Sequence, residues 1–412
     1  MPPREIYLDH AATTPLEPEV ADRVARLQAE VFANPSSPHT AGRRARRLLD
    51  EARERLLADL GCPAAQLVFT SGATEANHLA VHGLLPPEPA AGRPLRLAHS
   101  PRDHASLRLA ATSAGNRAEQ TSLALTPAGQ LDQAAVTDWL AAGHQAATDQ
   151  PGTQLLATTL VCGQSGSSED LSGLASLLAR QAPGCLLHTD ATQAVGRLPI
   201  DVDDLGVTSL SFTPHKFGGP RGIGCLIVRP GLELTPLFHG TQQLQLRGGT
   251  EPVALIAGCQ LAVSLAVARQ QGEATRLEQL RQRFEQQLVK YGREAGIGPV
   301  IIAASGPRSP HVSTVAFPGI DRQAFVMAAD LAGIAVATGT ACASGSQEPA
   351  PALIAIGLDR WLVQTAVRFS FGRSTIASDI DEAVIRISQI LQRLKPGSKP
   401  ACPGPVTSRA GN

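Results

Sequence analysis

Aromatic residues and lysine are scarce in this chain. Trp, Tyr and Phe make up 3% of its 412 residues, and lysine occurs only at positions 216, 290, 395 and 399. The shortage of aromatics accompanies an abundance of Ala, Leu and Arg and reflects base composition more than function. The formal net charge is +0, so no excess of either sign points to nucleic acid or an anionic membrane as partner. Arg43, Arg44, Arg46 and Arg47 form a basic cluster, but Asp50, Glu51 and Glu54 follow at helical spacing, as on a solvated helix face. The stretch Met1-Pro2-Pro3-Arg4-Glu5 has no apolar core, so no secretory signal is expected. The most apolar long window, Val253 to Ala268, is broken by Gln260 and Ser264 and falls short of the roughly 18 residues a membrane span needs. It reads as a buried helix. The cysteines number seven and are scattered, with no CxxC pair and no His/Cys cluster at zinc spacing. A reduced, cytoplasmic protein without a bound metal is the expectation. There is no internal repeat.

Short apolar runs alternate with helical patterns over the first 230 or so residues. Leu67–Thr70, Leu95–Ala98, Leu123–Leu125, Leu155–Val161, Cys185–His188, Ser209–Phe212 and Gly224–Val228 read as strands. Residues 104–114, 132–143 and 169–181 read as helices between some of them. Such alternation predicts an α/β domain with a mostly parallel sheet. Beyond about residue 255 a long charged helix runs to about Arg293. Strands near Val312–Phe317, Ile334–Thr338 and Val367–Phe371 follow, with helices at 321–332 and 378–394. That pattern predicts a smaller α+β domain. The division expected is an N-terminal arm (1–15) packing with the small domain, a large domain (16–255), a small domain (256–395) and a disordered Pro/Gly/Ser-rich tail (396–412).

In a chain that writes its bases as arginine, Lys216 stands out. It lies in Ser211-Phe212-Thr213-Pro214-His215-Lys216-Phe217-Gly218-Gly219-Pro220. Arginine keeps its proton at any usable pH, whereas a desolvated lysine can form a Schiff base. Two readings stand: a lysine that binds pyridoxal phosphate, or a surface lysine in a turn. Ser71-Gly72-Ala73-Thr74-Glu75 follows a strand and opens a helix; it could cradle a phosphate, or be an ordinary strand-to-helix turn. Asp190 closes another strand in His188-Thr189-Asp190-Ala191-Thr192-Gln193 and could pair with a pyridine nitrogen or cap a helix. His104 could stack on a flat ring or serve structure. Cys342 sits in the small, polar loop Thr338-Gly339-Thr340-Ala341-Cys342-Ala343-Ser344-Gly345-Ser346, where a reactive thiol is better placed than in the apolar surroundings of Cys185, Cys225 or Cys259. Arg368 alternates with apolar residues in Val367-Arg368-Phe369-Ser370-Phe371. Its partner could be a substrate carboxylate or a structural acid.

Taken in order, these segments resemble the NifS/IscS-type cysteine desulfurases, pyridoxal-phosphate enzymes of the class V aminotransferase, fold-type I group. The resemblance runs from Ile6-Tyr7-Leu8-Asp9-His10-Ala11-Ala12-Thr13-Thr14-Pro15 to about residue 394. It takes in Asn34-Pro35-Ser36-Ser37, the Gly72 and Asp190 segments, the Lys216 motif, Arg247-Gly248-Gly249-Thr250 and the Cys342 loop. It implies a large domain with a mostly parallel seven-stranded sheet. Lys216 would hold the cofactor. Ala73, Thr74, Thr213 and His215 would bind its phosphate, with Thr250 reaching in from the neighbouring subunit of a homodimer. His104 would stack on the ring, Asp190 would pair with its nitrogen and Gln193 would bond its phenolic oxygen. Arg368, with Asn34, would bind the carboxylate of L-cysteine. Cys342 would take the sulfur as a persulfide, leave alanine, and deliver the sulfur on a long loop to an acceptor protein, for iron–sulfur cluster assembly or thiolation.

Two departures from that pattern carry weight. The family's Asn-Asn-Glu-x-Gly is Cys162-Gly163-Gln164-Ser165-Gly166 here, so Gly163 replaces an Asn that contacts the phenolic oxygen. Losing that bond changes energies by roughly 1–3 kcal/mol and predicts slower chemistry unless Gln164 substitutes. The family's Gln-Glu-Arg-Gly is Gln242-Gln243-Leu244-Gln245 here, which removes local charges from the expected dimer interface. Other readings are a selenocysteine lyase or a cysteine/cystine C–S lyase on the same fold, and a catalytically weak sulfur-relay scaffold.

Overall fold

The computed structural model describes residues 4–86, 95–145, 154–294, 296–303, 305–339 and 350–394. The chain enters through β1 (Ile6–Tyr7), α1 (Pro18–Glu30) and α2 (Thr40–Asp59). Strands and helices then alternate: β2 (Gln66–Thr70), α3 (Ala73–Leu84), β3 (Leu95–His99), α4 (Ala105–Ser113), β4 (Ala118–Ser122), α5 (Gln133–Gln145) and β5 (Gln154–Thr159). The alternation continues with α6 (Leu171–Gln181), β6 (Leu186–Asp190), α7 (Val202–Leu205), β7 (Ser209–Phe212) and β8 (Gly224–Val228). After the long α8 (Val253–Glu294) come β9 (Val300–Ile301), β10 (Val312–Ala316), α9 (Arg322–Leu331) and β11 (Ile334–Ala335). The described chain closes with α10 (Pro351–Ala355), α11 (Arg360–Val363), β12 (Ala366–Ser370) and α12 (Ala377–Arg393).

The expected seven-stranded, mostly parallel sheet is present, in the order β2-β8-β7-β6-β5-β3-β4. Only β8 runs against its neighbours. Because β8 is antiparallel to both β2 and β7, the carboxyl ends of β2, β3, β5, β6 and β7 all reach the same edge of the sheet. Every residue of β5, β7 and β8 is buried, as in sheets covered on both faces. One expected strand moves: Leu123 and Leu125 follow β4 instead of forming it. The edge strand, Ala118–Ser122, is largely polar and exposed, because an edge needs burial on one side only. Leu123 instead fills the main core.

A second, antiparallel sheet has the order β12-β10-β9, and β1 pairs in parallel with β11. The expected strand at 334–338 is shorter than the pattern suggests; Ala337 makes an isolated bridge to Arg368. The few aromatics concentrate here. Phe284, Phe317, Phe325, Phe369 and Phe371 pack ring against ring, each contributing about 1.5–3 kcal/mol by burial. By length and composition α8 could cross a bilayer, but Val253, Ile256, Ala257, Cys259 and Val263 are buried in the fold, where α8 packs on α1 and α2. Residues 396–412, expected to be a disordered tail, lie outside the described residues.

Candidate active site

The shared carboxyl edge brings the chemistry together. The turn after β7 carries Lys216. Pro214 presets the turn, and Phe217 N–H (3.0 Å) and Gly219 N–H (2.8 Å) both close onto its carbonyl. Gly219 is required here, because a Cβ would lie 2.3 Å from that of Pro214. The N-terminal arm clamps the turn from outside: Thr14 donates to the His215 carbonyl through N–H and hydroxyl, both at 2.9 Å. From the same arm, the carbonyls of Ala11 and Ala12 accept the Lys216 Nζ at 2.8 and 2.7 Å. Lys216 is therefore aimed inward and held, not spread on the surface. His215 Nδ1 is 3.1 Å from Thr13 Oγ1. Burial, with Lys216 and Arg221 adding to it, lowers the His215 pKa to about 4.

β2 ends at Thr70 and α3 starts at Ala73, with Gly72 in the cap position. A Cβ on Gly72 would meet nothing within 4 Å among the described residues, so the turn that opens the helix has free space beside it. A helix N-terminus facing free space suits a phosphate. Thr213, counted with this group, is buried and its hydroxyl donates to the Ile223 carbonyl at 2.8 Å. Thr250 is exposed. Its segment is tied to the same helix by the Arg247–Glu75 ion pair at 2.9 Å. Beside it, Gln243, Leu244 and Gln245 all have positive φ (48°, 58°, 64°). The Gln243 amide anchors this bend by accepting from Phe69 N–H at 2.7 Å and donating to Phe69 O at 2.8 Å. An uncharged side chain thus holds the loop that lacks the family's charges.

Asp190 ends β6, buried, and its Oδ1 accepts from Thr192 N–H at 2.9 Å. His104 caps α4; its Nδ1 accepts from Ser106 N–H at 3.2 Å, which leaves the proton on Nε2. Burial lowers the His104 pKa, against the opposing charge of Asp190. Gln193 donates to the Ala11 carbonyl at 2.8 Å, the same atom that accepts Lys216, and accepts from His311 Nε2 at 3.1 Å. Gly163 lies beside Gln193, within 3.4 Å of a Cβ placed on it. Gln164 does not stand in for the missing Asn: its amide turns toward Thr338 and Gly339, donating to the Thr338 carbonyl at 3.4 Å. A Cβ on Gly339 would overlap it, so that position requires glycine.

Arg368 is buried in β12. It donates to Gly163 O at 3.0 Å and pairs with Asp9 at 2.8 Å, while its Nε has no partner among the described residues. The structural ion pair is present, and a donor remains for a carboxylate. Asn34 is exposed and its side chain accepts from Ser36 N–H at 2.9 Å, so no hydrogen bond joins it to Arg368. Cys342 lies outside the described residues; the chain is described to Gly339 and again from Ala350. Sequence reasoning passed over Asn77, which donates to Asp190, and His188 and Ser106, which bond Asn77. The available signal was His188, two residues before Asp190 on one strand and so on the same face. No cluster of metal-ligating side chains occurs among the described residues.

This lysine, acid, imidazole and open helix N-terminus fit pyridoxal phosphate, and comparison with known proteins agrees. Residues 6–383 match the aminotransferase class-V family. The chain is 34% identical to the cysteine desulfurase IscS of Dictyoglomus turgidum over 95% of this chain and 96% of that one. It is 33% identical to a cysteine desulfurase of Bradyrhizobium diazoefficiens, over 96% of each. It is 32% identical to human selenocysteine lyase, over 96% of this chain and 93% of that one. Among solved structures, a NifS-like protein of Rickettsia africae superposes with a TM-score of 0.81 at 26% identity, covering 94% of this chain and 99% of that one. The chain belongs to the class-V aminotransferase family, in its NifS/IscS group of pyridoxal-phosphate enzymes.

Proposed function

We propose that the chain is a cysteine desulfurase that moves sulfur from L-cysteine to Cys342 and releases L-alanine. The observation that carries this reading is the convergence of Lys216 Nζ and the Gln193 amide on one carbonyl, that of Ala11. That convergence sets a mobile base beside a hydrogen-bond donor, and the family's Cys342 motif lies in the same chain. Bound pyridoxal phosphate supplies an electron sink for the substrate's Cα–H and Cβ–S bonds. Ala73, Thr74, Thr213 and His215 would hold its phosphate, with Thr213 re-aiming its hydroxyl. Asp190 would hold its ring nitrogen, and His104 and Gln193 would flank it.

Arg368 binds the substrate carboxylate through the free side of its guanidinium. Lys216 Nζ would take the Cα proton. The Cys342 thiolate attacks the substrate sulfur: an S–S bond forms as the Cβ–S bond breaks, and Cβ ends protonated as the methyl of alanine. His104, with its proton on Nε2, can donate but not accept at that nitrogen. In its resting state it therefore offers a hydrogen-bond donor there and takes no proton at that nitrogen.

The protein works as a homodimer, with Thr250 crossing to the partner's phosphate site, and passes sulfur to an acceptor protein in the cytoplasm. The exposure of Thr250 and of Leu244 beside it supports the dimer. Mass spectrometry after incubation with L-cysteine tests the reading: a gain of about 32 Da on Cys342, the mass of one sulfur, absent in Cys342→Ala. Pyruvate without alanine would establish C–S lysis instead. The likeness to human selenocysteine lyase favours a second substrate, and comparing rates on L-selenocysteine and L-cysteine decides which is preferred.

A further inference from the structure

Asn77, on α3, is wholly buried and spends all its hydrogen-bonding capacity on four neighbours. Its Nδ2 donates to Asp190 Oδ2 and to Ser106 Oγ, both at 2.9 Å. Its Oδ1 accepts from His188 Nε2 at 3.2 Å and from the Ser211 hydroxyl. Asp190 decides the orientation: a carboxylate can only accept, so the amide must turn its NH2 toward it. The turned amide then requires a proton on His188 Nε2. His188 Nδ1 in turn accepts from the Ser209 hydroxyl at 2.8 Å. On the other side, Ser106 Oγ, having accepted from Asn77, is free to donate to His104 Nδ1 at 2.8 Å. Every proton in this chain has one consistent position. His188 is fully buried, and burial lowers its pKa to about 4, which keeps it neutral.

Resting on the function proposed above, we infer that Asn77 is a positioning residue that sets both ring-facing groups at once, with His188 as its orienter. It holds Asp190 as a hydrogen-bonded carboxylate, and through Ser106 it fixes the rotamer and tautomer of His104. Neither Asn77 nor His188 reaches the substrate side. Both act through other side chains. The linkage spans four elements, α3, α4, β6 and β7, so the geometry of the cofactor's two contacts is settled before the cofactor arrives. Preorganised contacts of this kind reduce the ordering cost of binding.

The test uses the full-length chain, without and with pyridoxal phosphate. In the cofactor-free protein, 15N NMR of labelled histidine should show His188 protonated on Nε2 alone. Asn77→Leu removes all four hydrogen bonds while keeping the number of side-chain heavy atoms. It should weaken cofactor affinity about tenfold or more, the loss of a hydrogen bond to a charged group. It should also move the midpoint of the bound cofactor's absorbance titration. A purely structural role would move the melting temperature but not that midpoint. Should Asn77→Leu fail to fold, the pair His188→Leu and His188→Gln decides: glutamine can still donate to Asn77 and should restore the midpoint that leucine shifts. A folded Asn77→Leu with unchanged affinity and midpoint, a His188 Nδ1–H tautomer, or equal behaviour of the two His188 variants would overturn the inference. Failure of the unaltered chain to bind pyridoxal phosphate would instead overturn the functional reading on which it rests.

Discussion

Gly163→Asn should restore a contact that this chain lacks, and the structure says how large the effect is. A Cβ placed on Gly163 would lie 3.4, 3.5 and 3.7 Å from Nε2, Cγ and Cδ of Gln193, ordinary contact distances. Gly163 is not among the glycines with positive φ, so asparagine fits its backbone. Stability should therefore change by no more than about 0.5 kcal/mol. The new amide would stand beside Gln193, adding an N–H donor near the cofactor's phenolic oxygen. Such a bond to a charged oxygen is worth about 1.5–3 kcal/mol. It would act at full strength only where that oxygen accepts no other hydrogen bond, and a protonated nitrogen linking Lys216 to the cofactor would compete for it. The donor thus favours the deprotonated linkage. At about 1.4 kcal/mol per pKa unit, its pKa should fall by about 1 to 2 units. Spectrophotometric titration of the cofactor-loaded protein measures this directly, with turnover on L-cysteine rising alongside. A midpoint that stays put or rises, in a variant that melts like the parent, would refute the placement of Gly163 beside the cofactor's phenolic oxygen.

Arg368→Lys keeps the charge but loses the fork that spans Asp9, Gly163 and a carboxylate; KM for L-cysteine should rise about 10- to 100-fold with a smaller change in kcat, and equal loss in both would point to a structural role alone. Gln245 has φ 64°, a conformation that costs a non-glycine residue about 1 kcal/mol; Gln245→Gly should raise the urea midpoint by a corresponding amount. Burial lowers His10, His188 and His215 to about 4. Their neutral forms favour the fold fully above their ordinary value of about 6.5, and this contribution is lost as pH falls toward 4. Urea midpoints of the cofactor-free chain should fall steadily between about pH 6.5 and 4.5, and a flat profile contradicts the assignment. Asp103, which burial raises to about 7, acts in the opposite sense, so Asp103→Asn should steepen that fall.

Lys216 was legible because lysine is rare and its turn is spelled out locally by Pro214, Gly218 and Gly219. The alternating strands were legible because strands buried on both faces leave continuous apolar runs. The edge strand β4 was misplaced for the converse reason: its polar sequence carries no such signal, and the apolar Leu123 beside it serves the core. Asn77 was invisible because nothing local specifies its role. Its partners lie 29 to 134 residues away, and only the convergence of strand ends at one sheet edge assembles them. Whether Gln164 substitutes for the missing Asn stayed open in the sequence for a related reason. Sequence position put it beside the missing Asn, whereas backbone direction turns it toward Gly339.

The arm that holds Lys216 also imposes an order of events on synthesis. Leu8 O accepts from Ser370 N–H at 2.7 Å, and Ala11 N–H donates to Ser370 Oγ at 2.8 Å across 359 residues of sequence. Contacts of such separation form late, after the loop between them has been paid for in entropy. Residues 8 to 12 must therefore wait for Ser370 to be made before the Ala11 and Ala12 carbonyls can seat the lysine. A nascent chain arrested after the large sheet can build strands and helices, yet it lacks the clasp on Lys216. Capacity to take up the cofactor should consequently appear only once Ser370 has been made, as a single late step, instead of growing with chain length.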